Sequence, residues 1–384
     1  MRALLKVIVL AFFLVLSSGH KVADKVVRMQ KLWTANEQHQ RFMFNEFIRN
    51  YGKQYSSPAI SEQRFKYFLQ NLKIADVRNE AEIAAGGSPV HGITKFFDQD
   101  EKEFSMYFLG ARPQTDASAN ASSSIRKVAP AVNQPVKDGE YVNWAGVLTT
   151  PVKNQGYCGS CWAFSATEQI ESDSMRLLGT DFILSPEQIT QCAPIAQGCG
   201  GGWTEVAFSY VHAAGGIEQD SAYPYTSYYG VTGTCHAEKS QEVVTVDSFT
   251  KVTGETDMTN YVLSTGPLSV CLDAQNWSSY TGGILSVCGQ QVDHCVQAVG
   301  VDTNSEAPYW IVRCVPSSFL LFSSLLLSSP LLSSLLTRHM YHPPISLSHT
   351  HTGTHGALTG VNRATSTWPG AKTRATSPMI LPGP

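Results

Sequence analysis

The chain has 384 residues, 43% of them hydrophobic, and a formal charge of −3 at pH 7. That length can bury a sizeable core and form two or more domains, and the charge supplies neither the basic footprint that nucleic acid requires nor strong steering of a partner. Nine cysteines, none before Cys158, point to one region built to be oxidised.

Met1-Arg2 and Lys6 give a positive start, Val7 to Leu16 is an apolar run, and Ser17-Ser18-Gly19 supplies the small residues a signal peptidase needs. The run is too short to span a bilayer comfortably. Residues 1–19 read as a cleaved secretory signal, with an uncleaved anchor as the other reading. The expected destination is the secretory pathway, extracellular or lysosomal/endosomal, with no membrane span once the signal is removed.

From Glu37 to Asn79 the pattern is helical. Phe42, Phe44, Phe47 and Tyr51 gather on one face, and a second run, Glu62 to Glu80, carries Phe65, Phe68, Leu69 and Leu72. Gly110 to Pro135 is rich in Ala, Ser, Pro and Gln without a helical stripe, which is linker composition and a site for processing. A mature start is expected between Ala129 and Lys137. Asn120-Ala121-Ser122 in this linker and Asn276-Trp277-Ser278 further on are glycosylation sequons.

The stretch Gln155-Gly156-Tyr157-Cys158-Gly159-Ser160-Cys161-Trp162 leads into Ala163, Phe164, Ala166, Thr167 and Ile170 at helical spacing, so Cys161 falls in the first turn of a helix. A helix N-terminus lowers a thiol's pKa and favours the nucleophilic anion. Gln155, on a tight loop, can offer its side-chain amide beside the Cys161 backbone N–H to a developing oxyanion. A Cys-x-x-Cys pair also serves redox and zinc chemistry. Here no second close-spaced pair completes a metal site, and a redox motif needs neither Gln155 nor Trp162. No metal and no cofactor are expected.

Ser185 reads as a helix cap with Pro186 at the first position, on a helix that delivers Cys192. Gly200, Gly201 and Gly202 form a flexible loop or, alternatively, a place where an extended peptide backbone approaches closely. From Val243 the texture turns to short β-branched runs, Val243 to Val246, Pro267 to Leu272 and Cys295 to Val301, which are strands. His294 begins the last of them beside a polar loop.

The Cys158-Gly159-Ser160-Cys161-Trp162 signature, with a histidine about 130 residues later, resembles the papain-like cysteine proteases, and within them the cathepsin L-like branch. The likeness runs from about Phe44 to Arg313. It implies an α+β, two-lobed papain-like fold, with a helical lobe and a β-barrel-like lobe, preceded by a small helical propeptide domain. Arg64, Phe68, Asn71 and Asn79, then Gly92, Thr94, Phe96 and Asp98, match the propeptide motifs of that branch. Ile60 and Ala75 depart from them, standing where the family carries Glu and Ile. The resemblance implies that this segment lays its tail through the cleft in the non-productive direction.

It also implies roles: Cys161 as nucleophile, His294 as its imidazole partner, Gln155 at the oxyanion, and Asp293 as a local modulator. Gly201 and Gly202 would pair with substrate backbone. Trp203, Cys271, Val292 and Cys295 would wall a mostly apolar specificity pocket. The disulfides carried over are Cys158 to Cys199 and Cys192 to Cys235, which leaves Cys271, Cys288, Cys295 and Cys314 without assigned partners.

The likeness stops after Tyr309-Trp310-Ile311-Val312-Arg313, where Asn-Ser-Trp-Gly should follow. Instead Ser318 to Leu336 is nearly all Ser, Leu, Phe and Pro, too interrupted for a membrane helix. Such codons are pyrimidine-rich, as introns are, and codons from Gly353 on, read from their third base, permit Asn-Ser-Trp-Gly. Residues 314 to about 352 therefore read as a translated intron before an out-of-frame last exon.

The expected organisation is signal 1–19, inhibitory propeptide 20–110 with a helical core at about 40–104, linker 111–135, catalytic domain 136–313 and an unstructured tail 314–384. The expected function is a monomeric cysteine endopeptidase zymogen acting on protein or peptide substrates, with its own propeptide in the cleft, impaired by the missing histidine partner. The alternative is a non-catalytic relative, or a propeptide-type inhibitor of cysteine proteases.

Overall fold

The computed structural model describes residues 32–113, 140–305, 308–313, 361–363 and 375–376. The expected signal sequence, the Asn120 sequon, most of the expected linker and the Ser/Leu-rich stretch lie outside the described residues.

Two helices, α1 (Glu37–Asn50) and α2 (Pro58–Ala84), open the propeptide. Asn36 caps α1 by accepting the His39 N–H at 2.9 Å, and Ser57 caps α2 by accepting the Ile60 N–H at 3.3 Å, with Pro58 at the first helical turn. The aromatic spacing read from the sequence becomes a layer: Phe68 lies 5.4 Å from Phe44 and 5.2 Å from Phe47, ring centre to ring centre. Phe97 closes it from the loop beyond. Burying each such ring contributes about 1.5–3 kcal/mol, so this layer supplies the domain's core.

The polar motif residues pin the loop that follows α2. Asn71 donates to the carbonyls of Phe97 and Gln99 at 2.9 and 2.7 Å, Arg64 donates to the Asp98 carbonyl at 2.9 Å, and Asn79 both donates to and accepts from His91 backbone. Their spacing is the spacing of one helix face. A capping box between Asp100 and Glu103 then starts α3 (Glu101–Phe108).

The second part of the chain begins with β1 (Tyr141–Asn143) and continues into α4 (Cys161–Leu178), α5 (Pro186–Cys192) and α6 (Thr204–Ala214). Ser185 caps α5, accepting the Gln188 N–H at 3.0 Å. These helices gather around Trp162, Ile170, Leu184, Ile189 and Phe208 as one lobe. Next come β2 (Ile217–Glu218), β3 (Glu242–Val244), α7 (Glu255–Ser264), β4 (Leu268–Leu272), β5 (Ile284–Leu285), β6 (His294–Asp302) and β7 (Tyr309–Arg313). The second lobe packs Val262, Leu268, Val270, Val296, Ala298 and Val312 on its sheet.

Helix α4 is buried on all sides from Cys161 to Ser174 because it lies between the lobes. Its polar residues are satisfied across that seam. Ser165 donates to the Val296 carbonyl at 2.7 Å, and Gln169 donates to Pro267 O at 3.0 Å while accepting from Ser269 N at 2.6 Å. Helix α4, which begins at Cys161, is thereby fixed to the strands that carry His294.

Two expectations need correction here. Ala111 and Arg112 are not linker: Arg112 N–H donates to Gly202 O at 2.8 Å and Gly202 N–H to Gly110 O at 3.0 Å, so backbone pairing extends the inhibitory segment past residue 110. The tail expected to be unstructured also contributes β8 (Val361–Arg363), parallel to β4, and β9 (Ala375–Thr376), between β5 and β7. Open sheet edges present unpaired N–H and C=O groups that recruit any available strand.

Candidate active site

Cys161 is the first residue of α4, and Cys295, next to His294 on β6, donates its backbone N–H to the Cys161 sulfur. The two expected partners are therefore brought close, Cys161 at the start of a helix and His294 at the start of a strand. Trp277 packs edge-on against the His294 ring, with centroids 5.8 Å apart and planes at 78°.

Gln155 lies on the loop before α4, its amide nitrogen 2.9 Å from the Cys158 carbonyl and 3.3 Å from the Phe108 carbonyl. Tyr225 braces that loop: its hydroxyl donates to the Gln155 carbonyl at 3.0 Å and lies 2.8 Å from Ser160 Oγ. The disulfide Cys158–Cys199 ties the same loop to the glycine run, and Cys192–Cys235 staples the helical lobe below it.

Residues 108–112 lie against these groups. His294 also hydrogen-bonds the Phe108 backbone, so one propeptide carbonyl sits between Gln155 and the imidazole. Ala111 bridges to Gly202 in the parallel sense and donates its N–H to Asp293 O at 2.9 Å. Glycine is required at the crossing. A Cβ on Gly110 would run into the backbone of Gly159, and one on Gly202 would come within 2.5 Å of the Trp162 ring.

Burial pushes the Cys161 thiol up to about 11, against three backbone N–H groups that pull it down, and burial drives His294 down to about 4. Desolvation thus opposes the pull that a helix N-terminus exerts on a thiol, and it disfavours the charged form of both groups while they are covered. Asp293 is pushed up to about 6, chiefly by burial, although its Oδ1 accepts the Ala274 N–H at 2.9 Å.

The expected pocket residues Trp203, Cys271, Val292 and Cys295 do share one apolar cluster with Cys161 and Ala111. Cys271 and Cys295, however, are bonded to each other, because they face one another directly across β4 and β6. The sequence left both without partners; only the strand register pairs them. Asn276 is half-buried, its amide on Val287 O at 3.4 Å, and the hydroxyl of its sequon, Ser278, accepts from Arg78 of the propeptide at 3.0 Å. Sequence reasoning missed Tyr225, Phe108, Gly110 and Trp277; of these only Gly110, a glycine just beyond a helix end, carries a local signal.

Outside the cleft, His91 is buried against the docking turn Gln275–Ser279, its Nδ1 2.9 Å from Ser279 Oγ, and Glu82 accepts the N–H groups of Ser286 and Val287 at 2.8 and 2.9 Å. Among the described residues no group of His, Cys, Asp and Glu gathers to hold a metal, and no helix is long and apolar enough to cross a membrane.

Residues 139–314 match the papain family cysteine proteases and residues 44–104 the cathepsin propeptide inhibitor domain. Cysteine proteinase 2 of Leishmania pifanoi is 36% identical over 281 residues, covering 71% of this chain but 61% of its own length. Cysteine proteinase 1 of Zea mays is 32% identical over 290 residues, covering 70% of this chain and 76% of that protein. The chain thus spans about three fifths of the Leishmania relative and three quarters of the maize one. Among solved structures, digestive procathepsin L 3 of Tenebrio molitor larval midgut superposes with a TM-score of 0.60 at 28% identity, over 71% of this chain and 88% of that one. With a relative 32% identical matched over most of both chains and the family model covering residues 139–314, the chain belongs to the papain family of cysteine proteases.

Proposed function

We propose that the chain is the zymogen of a cysteine endopeptidase that hydrolyses peptide bonds in proteins or peptides after its propeptide is removed. Cys161 attacks the scissile carbonyl, the Gln155 amide and the Cys161 N–H hold the oxyanion, and His294 delivers the proton to the leaving amine before water releases the acyl group. The observation that carries the reading is the Phe108 carbonyl lodged between Gln155 and His294. A peptide carbonyl is already received where the chemistry needs one, while the parallel pairing of Ala111 with Gly202 marks a chain running in one fixed, inhibitory direction.

Covering the pair keeps it neutral and silent; uncovering it restores solvent and the thiolate–imidazolium state. Asp293 supports this as a local modulator. Its backbone carbonyl, with Gly201 and Gly202, is the edge on which substrate backbone is held. Three disulfides among the described residues support passage through an oxidising compartment, hence the secretory pathway with an extracellular or lysosomal destination.

The test is the full chain matured by limited proteolysis and treated with a thiol-directed epoxide. Labelling at Cys161 with loss of peptide hydrolysis, both absent in Cys161→Ser, supports the enzyme. Potent inhibition of another cysteine protease without any labelling supports an inhibitor instead.

A further inference from the structure

We propose that the Cys271–Cys295 disulfide is a specificity-determining element. It rests on the protease reading above: the bond clamps the pocket that receives the side chain one position before the residue at the scissile bond, and restricts that pocket to small aliphatic side chains.

The bridge is placed by register. β4 and β6 run antiparallel with Cys271 opposite Cys295 and Leu272 opposite His294, so the bond lies one residue from the imidazole. Cys295 also gives its backbone N–H to the Cys161 sulfur. Both half-cystines are at most 1% exposed, in one apolar cluster with Trp162, Trp203 and Ala111.

Ala111 reports the size of the space. Its backbone is held on both sides, by Asp293 O and by Gly202, and its single methyl group leaves it 1% exposed. Its methyl is thus fully enclosed by the apolar cluster that contains both half-cystines. Ordinary apolar walls make room by changing rotamer, and separate strands make room by parting. A bonded cross-strand pair does neither, so a bulky side chain meets a wall fixed at both ends. In a hydrophobic pocket a change of about one methylene alters discrimination by roughly 10–200-fold.

The test has two readouts. The first uses the full chain without turnover: alkylation of Cys161 by iodoacetamide measures how well the propeptide covers the thiol. Ala111→Phe should raise that rate at least about tenfold in the parent, and the rise should shrink to about threefold or less when Cys271→Ala and Cys295→Ala open the wall. An equal rise in both backgrounds overturns the proposal, as does a non-reduced digest that lacks the Cys271–Cys295 peptide pair. If the double alanine chain does not fold, Cys271→Val with Cys295→Ala keeps the volume and removes only the bond.

The second readout uses the matured chain and two substrates differing at the one position, Val against Phe. Removing the bridge should raise the Phe-to-Val ratio of kcat/KM about tenfold; an unchanged ratio, with Cys161 fully labelled by epoxide, counts against the clamp. Absence of both hydrolysis and labelling in the parent defeats the protease reading instead, and leaves the clamp to be decided by the alkylation comparison.

Discussion

The Phe108 carbonyl oxygen lies 3.3 Å from the Gln155 side-chain nitrogen and is also hydrogen-bonded by His294. A residue of the propeptide thus engages Gln155 and His294 at once. Two residues on, Gly110 passes so close to Gly159 that any side chain would collide with backbone. Gly110→Ala should therefore unseat this strand while α1 and α2 stay docked, raising epoxide labelling of Cys161 in the unprocessed chain about tenfold, the equivalent of about 1.4 kcal/mol of lost docking. Unchanged labelling would show that the crossing does not guard the thiol.

Propeptide release should be favoured by acid. Burial holds His294 and His91 down to about 4, whereas each regains an ordinary value near 6.5 once uncovered. The released state then binds more protons between pH 6.5 and 4, so docking weakens as pH falls through that window. Asp293 acts with the opposite sign. Held at about 6 under cover, it keeps a proton that a free carboxylate gives up, so its share of docking is lost as pH rises from its ordinary value towards 6.

Two imidazoles against one carboxyl leave a net uptake of about one proton, or about tenfold in the dissociation constant per pH unit. His91 faces Arg78, Glu82 and Ser279, and His91→Gln should flatten the slope towards zero. The measurement is propeptide binding by a Cys161→Ala chain nicked in the linker, followed from pH 4 to 7. That variant keeps the thiol's own proton out of the balance.

What was legible in the sequence was local. Cys161 at a helix start, the Ser185 cap, His294 opening a strand and the phenylalanine stripes of the propeptide all follow from spacing and capping chemistry, and the folded elements begin where those signals stand. What was not legible depends on register or on cover. Cys271 and Cys295 are 24 residues apart, and only the β4–β6 alignment makes them neighbours. Tyr225 reaches Gln155 from 70 positions away without any motif. The surroundings of the Cys161 sulfur include a chain segment about 50 residues upstream, whose Gly110 backbone hydrogen-bonds it, and no reading of its own helix reveals that.

The segment after Arg313 should limit catalysis. A family Asn placed after this strand would orient the imidazole and fix its tautomer, and a general acid–base group out of alignment forfeits part of roughly 10²–10⁴-fold. Replacing residues 314 onward with the Asn-Ser-Trp-Gly continuation permitted by the shifted frame should raise kcat on the order of a hundredfold with KM little changed. Sequencing of the spliced transcript gives an independent check: a pyrimidine-rich stretch retained in every product would sink the intron reading.

Arg313 at the end of β7 should carry much of the seam's stability. Its guanidinium donates to the Thr150 carbonyl at 2.6 Å and lies 3.5 Å from the Glu168 carboxylate, with both side chains buried. One turn along α4, Glu171 is served by Lys153 at 2.7 Å and accepts the Leu184 N–H at 2.7 Å. Glu168 has fewer partners, and burial already pushes its carboxyl upward, with Arg313 the main opposing influence. Arg313→Ala leaves that carboxylate unpaired in a dry seam, a change that typically costs about 3–5 kcal/mol, with the looser 3.5 Å contact favouring the lower end. Below the carboxyl's raised pKa Glu168 accepts a proton instead, so the penalty should shrink at acid pH and reach its full size at alkaline pH. Urea denaturation of Arg313→Ala, and of Arg313→Met combined with Glu168→Leu, at pH 5 and pH 8 tests both points. The apolar pair should recover most of the loss, because neither buried charge then remains.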